Sequence, residues 1–227
     1  MADRLAGTRA LVTSADTYMG PAIVELFEQE GAHVTADTTD LTPPAAAAEA
    51  VGSAGDIDVL VANLATPPRP SPATDIADDD WSALFDQLVH PLMRLIRAVL
   101  PPMIERGSGK IVAITSAAPL RGIPGASAYT AARGAQNAFV RSVGLEVARH
   151  GVQVNAVAQN YVKNDVYYSE DMLADTDLVA RMERAVPAGR LAESWESAEL
   201  ALFLASDRSD FIVGQVIPFS GGWTTTM

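Results

Sequence analysis

Short apolar runs alternate with longer stretches of helical periodicity along this chain, and that alternation restricts its fold more than any other feature. A strand without a polar face has no side to offer to water, so helices must cover it on both sides. Parallel strands joined by crossover helices meet that condition. Residues 9–13, 32–36, 58–63, 110–115, 152–157 and 215–219 read as strands, the first being Arg9-Ala10-Leu11-Val12-Thr13. Helical patterns over 20–30, 81–106, 129–150, about 178–186 and 197–205 separate them, and Gly31 is a natural stop for the first. The class is α/β, and 227 residues with 48% hydrophobic content suit one domain over 1–227.

Proline and glycine punctuate this pattern. Residues 38–50, with Thr42-Pro43-Pro44 followed by four alanines, read as a connector and a small-faced helix within the same domain. Thr66-Pro67-Pro68-Arg69-Pro70-Ser71-Pro72 reads as a stiff irregular loop after a strand end. Pro91, Pro101 and Pro102 are expected to break or kink the 81–106 helix, because each removes a backbone N–H and crowds the preceding turn. Residues 158–169 are polar and aromatic, too irregular for an element. The carboxyl ends of parallel strands open on one crevice, and Thr13, Asn63, Ser116, Gln159 and Asn160 stand just beyond such ends.

Composition removes several function classes. A formal net charge of −12 repels phosphate backbones and anionic lipid surfaces, so no nucleic-acid or membrane partner is expected. The absence of cysteine excludes disulfides, thiolate nucleophiles and cysteine-held metals. His33, His90 and His150 lack metal-like spacing, so no metal is expected. The opening segment from Met1 to Gly7 has no apolar run of signal-peptide length, and no later stretch reaches the roughly 18 apolar residues of a membrane span. A cytoplasmic location is expected.

Tyr129 and Arg133 are four residues apart in Tyr-Thr-Ala-Ala-Arg, on one face of the helical pattern. A neighbouring cation favours the phenolate, which moves a tyrosine toward service as a base near neutrality. Arginine stays charged even when partly buried. Ser116 lies thirteen residues before Tyr129 at a strand end, where its hydroxyl can hold a substrate oxygen; alone, it is equally a strand-end cap. Together Ser116, Tyr129 and Arg133 favour catalysis.

The run Thr13-Ser14-Ala15-Asp16-Thr17-Tyr18-Met19-Gly20 occupies the place of a phosphate-binding turn between the first strand and its helix. Such a turn uses glycines for tight curvature and for close approach of a pyrophosphate to the helix N-terminus. Tyr18 puts an aromatic ring in that space.

Ser116, Tyr129 and Arg133 resemble the catalytic set of the short-chain dehydrogenases/reductases, with arginine where those enzymes carry lysine. Asn63-Leu64-Ala65 resembles that family's Asn-Asn-Ala-Gly, and Ser220-Gly221-Gly222 its C-terminal Gly-Gly. The turn departs from Thr-Gly-x-x-x-Gly-x-Gly, for only Thr13 and Gly20 keep the pattern. These departures resemble the halohydrin dehalogenases, whose pattern is Thr, four residues, an aromatic, one residue and Gly, joined to Ser-x12-Tyr-x3-Arg.

That resemblance implies a Rossmann-like doubly wound parallel sheet, here expected to have about seven strands, and no nicotinamide or other cofactor. In place of the cofactor it implies a halide pocket built from the loop after the sixth strand, here Gln159, Asn160, Tyr161 and Val162, together with Tyr18. It implies that Tyr129 deprotonates a vicinal halohydrin, Ser116 orients the oxygen and Arg133 tunes the tyrosine, so that an epoxide forms as halide leaves. In reverse, halide, azide, cyanide or nitrite opens an epoxide. The implied partners are the halohydrin or epoxide, the halide ion and three further copies of the chain, a homotetramer in which long helices pair. Tyr167 and Tyr168, with Pro119 and Leu120, are expected at the pocket entrance, loop packing being the competing role for Tyr168 and Leu120. Trp223 reaches either toward the pocket or into core or subunit packing.

Two rival functions use the same residues differently. An NAD(P)-dependent alcohol dehydrogenase or reductase would use Asp37, after the second strand, to bind a ribose, although Asp37 is equally a loop residue. A non-catalytic regulator would use the scaffold for binding alone.

Overall fold

The computed structural model describes residues 3–225; Met1 and Ala2 of the opening segment lie outside them. Among the described residues six parallel strands form one sheet: β1 (Arg9–Val12), β2 (His33–Ala36), β3 (Val59–Asn63), β4 (Gly109–Ser116), β5 (Val152–Gln159) and β6 (Val216–Phe219). Their order is β2-β1-β3-β4-β5-β6. The chain winds outward from β1 to β2, then crosses back to β3 on the other side of β1, which makes the gap between β1 and β3 the switch point of the sheet.

Alternate strand residues face opposite cores, as period-two geometry requires. Leu11, Leu60, Ile111, Ala113, Val154 and Ala156 pack with α2 (Ala46–Ala54), α4 (His90–Arg106) and α6 (Ser127–Val147). Val12, Val59, Val61, Val112, Ile114 and Val157 pack with α1 (Gly20–Gln29) and α9 (Ser194–Ala205). The shorter helices are α3 (Asp78–Leu84), α5 (Ala118–Arg121), α7 (Glu170–Ala174) and α8 (Thr176–Ala185). Among the described residues no helix is long and apolar enough to cross a membrane, and no group of three or more acidic or histidine side chains is placed to hold a metal.

Three expectations are corrected. The sheet has six strands, not seven, because residues 37–58 hold only α2 between β2 and β3 and leave no length for another strand–helix unit. The loop expected after a sixth strand therefore follows β5. The prolines do not break the long helix. A single π turn, Phe85–Val89, precedes α4 and places Pro91 in its first turn, while Pro101 and Pro102 lie inside the helix on its exposed side. Water can satisfy the carbonyls that those two prolines leave without a donor. The third correction is at residues 158 and 159, which extend β5 through full pairing with β4 and were expected in the loop.

Candidate active site

The site lies at the carboxyl ends of β3, β4 and β5, where the first turn, α6 and the loop after β5 converge. Ser116 ends β4 and Gln159 ends β5, side by side in register. Tyr129 and Arg133 project from the first half of α6, one turn apart as their spacing requires. Arg133 is wholly buried, and its Nε donates to Tyr129 Oη at 3.1 Å. Its other nitrogens donate to the Leu64 carbonyl at 3.0 Å, Gln136 Oε1 at 2.8 Å and Tyr167 Oη at 2.7 Å. No carboxylate pairs with Arg133 among the described residues, so the phenols carry the electrostatic answer to its charge. Although burial alone disfavours the cation, the facing Tyr129, Tyr167 and Tyr18 hold the guanidinium above its ordinary pKa.

Ser116 Oγ accepts from the Ala118 backbone N–H at 3.1 Å, which fixes the oxygen and leaves its hydrogen for another acceptor. Ser116 opens on a pocket of about 440 Å³, its mouth included, lined also by Tyr129, Tyr18, Gln159, Asn160, Tyr161, Val162 and Tyr167. Gln159 Oε1 accepts from Ser197 Oγ at 2.6 Å, which turns its amide nitrogen away from Ser197. Burial pushes the Tyr18 hydroxyl well above its ordinary pKa, with Tyr167 adding to the shift and Arg133 opposing it.

The first turn keeps the positive-φ backbone of a glycine-rich loop without two of its glycines. Tyr18 has φ +57° and Ser14 φ +45°, both in the left-handed region that glycine populates freely. Gly20 is retained for space: a Cβ there would be built onto the Ser14 carbonyl oxygen. The Tyr18 N–H donates to Asp165 Oδ1 and Thr17 Oγ1 to Asp165 Oδ2, each at 2.8 Å. A carboxylate from the loop after β5 thus sits on the turn's backbone donor. The Tyr18 ring lies 5.4 Å, centroid to centroid, from that of Tyr167.

Pro119 and Leu120 do not line this pocket. Pro119 faces Gly134 and opens on a separate groove, and Leu120 packs against the core. Pro68, Ile123 and Asn164 stand in the wall instead. Tyr168 is packed in its loop, where burial raises its pKa. Trp223 contacts the outer side of the site: its ring meets Tyr161 edge-on at 6.0 Å, and Arg121 lies 4.8 Å above it. Asn164 Oδ1 accepts from the Val166 and Tyr167 N–H groups, a turn that aims Tyr167 inward. Asn-Asp is a turn former legible in sequence, whereas the long-range contact of Asp165 with Tyr18 has no local signal.

Comparison with known proteins places this geometry in a family. Residues 6–224 match the family model for enoyl-(acyl carrier protein) reductase. The chain is 31% identical over 242 residues to a 3-oxoacyl-(acyl-carrier-protein) reductase of Vibrio harveyi, covering 96% of this chain and 98% of that protein. It is 32% identical over 205 residues to gluconate 5-dehydrogenase of Gluconobacter oxydans, covering 88% and 79%. A solved structure described as a dehalogenation enzyme superposes with TM-score 0.92 at 33% identity, covering 97% of this chain and 99% of that one. A gluconate 5-dehydrogenase from Burkholderia cenocepacia, in complex with NADP and tartrate, superposes with TM-score 0.89 at 28% identity, covering 99% and 98%. With a parallel sheet of this order, a strand-end serine and a helical tyrosine beside a buried cation, the chain belongs to the short-chain dehydrogenase/reductase superfamily, within the enoyl-(acyl carrier protein) reductase family.

Proposed function

We propose that the protein is a halohydrin dehalogenase that converts a vicinal halohydrin to an epoxide and halide without a cofactor. The observation that carries this reading is that Tyr18, standing where the turn of the family has glycine, lines the same pocket as Ser116 and Tyr129. The likeness to a structure described as a dehalogenation enzyme supports it.

The turn's residues do not fit a nicotinamide dinucleotide. Its pyrophosphate needs the backbone N–H groups and the open space of the glycine turn. Here the Tyr18 ring is buried in the pocket wall, and the Asp165 carboxylate accepts from the Tyr18 N–H, where a phosphate would meet like charge.

The chemistry needs a base, a hold on oxygen and a place for a leaving anion. Tyr129, ionised beside Arg133, takes the proton of the substrate hydroxyl while Ser116 Oγ–H donates to that oxygen. The oxygen attacks the adjacent carbon opposite the halogen, so one C–O bond forms as the C–halogen bond breaks. The electron pair leaves with the halide into the space bounded by Tyr18, Gln159, Asn160, Tyr161 and Val162. Tyr129 then returns its proton to water.

Halide release from a vicinal chlorohydrin with no nucleotide present is the direct test. Release should fall by about 10²- to 10⁴-fold in Tyr129→Phe, the usual contribution of a general base. A wild-type protein that releases no halide would sink the proposal.

A second reading, an NAD(P)-dependent reductase, follows from the reductase and dehydrogenase relatives and from one observation of the structure. Asp37 Oδ2 is buried with no hydrogen-bond partner among the described residues, as an acid awaiting a ribose would be. Ketone reduction that consumes NADPH, with no halide release, would establish that reading.

A further inference from the structure

The reaction above gives no task to Tyr167, yet its hydroxyl makes three hydrogen bonds. It accepts from Arg133 Nη2 at 2.7 Å and from Tyr129 Oη at 3.1 Å, and it donates to the Thr66 carbonyl at 3.0 Å. A phenol carries one hydrogen. While Tyr129 is neutral, its hydrogen points at Tyr167 and the Tyr167 hydrogen points at Thr66. Once Tyr129 ionises it has no hydrogen to give, and its oxygen becomes the strongest acceptor within reach. Rotation of the Tyr167 hydroxyl about its C–O bond then redirects its hydrogen to Tyr129 without moving a heavy atom. Arg133 donates to both oxygens in either state.

We propose that Tyr167 is a positioning residue whose hydroxyl rotates between the Thr66 carbonyl and the ionised Tyr129, so that charging the base and holding the Thr66 carbonyl are alternatives. The inference rests on Tyr129 being the base. The groups that face Tyr167 are Tyr129 and Arg133 from α6 and Tyr18 from the first turn; Tyr161 of its own loop lines the same pocket, and the carboxylate of Asp165 is turned to Tyr18 and Thr17. Burial holds the Tyr167 phenol above its ordinary range against the opposing pull of Arg133, so Tyr167 keeps the hydrogen that its hydroxyl redirects. Thr66 is two residues from Pro68, which stands in the pocket wall. The hydrogen bond to the Thr66 carbonyl is therefore given up when the base is charged, and it is restored when Tyr129 has taken the substrate proton.

Tyr167→Phe removes the hydroxyl and keeps the ring packed against Tyr18 and Tyr129. Two pH titrations test the inference, and neither depends on turnover. The first follows Tyr129 by tyrosinate absorbance, taking each protein minus its Tyr129→Phe counterpart. The second follows the Thr66 amide by ¹H–¹⁵N NMR. The Tyr129 midpoint should rise by about one to two pH units in Tyr167→Phe, the loss of one hydrogen bond to a charged oxygen. The Thr66 amide should shift with the Tyr129 midpoint in the wild type and cease to do so in the variant. An unchanged or lower midpoint overturns the proposal, as does a Thr66 amide that still tracks Tyr129 in Tyr167→Phe. A wild type that titrates as expected and releases no halide would refute the dehalogenase reading alone.

Discussion

Arg133 is a cation sealed inside the protein with backbone carbonyls, an amide and two phenols around it. A lone buried charge is costly unless its donors are satisfied, and the planar guanidinium satisfies them in four directions at once. Lysine in its place keeps the charge but has three donors and no fork. Arg133→Lys should therefore lower stability by about 2–3 kcal/mol in urea denaturation, roughly two lost hydrogen bonds, and slow halide release by about 10- to 100-fold. Equal stability and rate would show that the fork is not used. Tyr18 sets two effects against each other. Tyr18→Gly relieves a left-handed backbone by about 1 kcal/mol, whereas losing the buried ring costs about 3–5 kcal/mol, so the variant should be less stable. It should bind bromide more weakly without gaining tight nucleotide affinity, because Asp165 still covers the turn. Unchanged bromide affinity would remove Tyr18 from the halide pocket.

At the scale of elements, α9 shows how a helix start escapes sequence patterning. Apolar periodicity places its start at 197, but the helix begins at Ser194 under a capping box in which Glu193 and Glu196 each hold the other's backbone. The Arg190 ion pair and the Glu193 N–H hold the Glu196 carboxyl down at about 2, against an ordinary 4.5. A depressed carboxyl stabilises the fold above the ordinary value, and that contribution is lost as pH falls from 4.5 to about 2. The stability difference between wild type and Glu196→Gln should accordingly be constant near neutrality and vanish across that window, as read by denaturation at a series of pH values. A difference that persists at pH 2 would show that the carboxylate charge is not its source. Gly20 is constrained at the same scale. Gly20→Ala forces a side chain onto the Ser14 carbonyl, which is backbone and cannot swing aside, so the first turn should be destabilised by about 1–3 kcal/mol.

On the scale of the whole molecule, the homotetramer implied by resemblance is the assembly expected in solution, and light scattering after size exclusion checks it. Leu145 on α6 is 72% exposed, an apolar group that a paired helix face would cover. Leu145→Glu should lower the measured mass if that face is used, and an unchanged tetramer would place the contact elsewhere.

The sequence by itself determined the α/β class, where six strands lie, though not their number or the end of β5, and the face shared by Tyr129 and Arg133. Those follow from local periodicity, which each short segment carries on its own. Ser116 and Tyr18 were legible because strand ends and turns place their residues predictably along a parallel sheet. Tertiary structure alone decided that Arg133 is sealed without a carboxylate among the described residues, that Asp165 reaches back to the first turn and that Tyr167 bonds to Tyr129. It also decided that Pro119 faces away from the pocket and that α4 absorbs Pro101 and Pro102 on a wetted side. These outcomes depend on residues far apart in the chain meeting as the two layers close on the sheet, and no local pattern encodes where a loop side chain will find its partner.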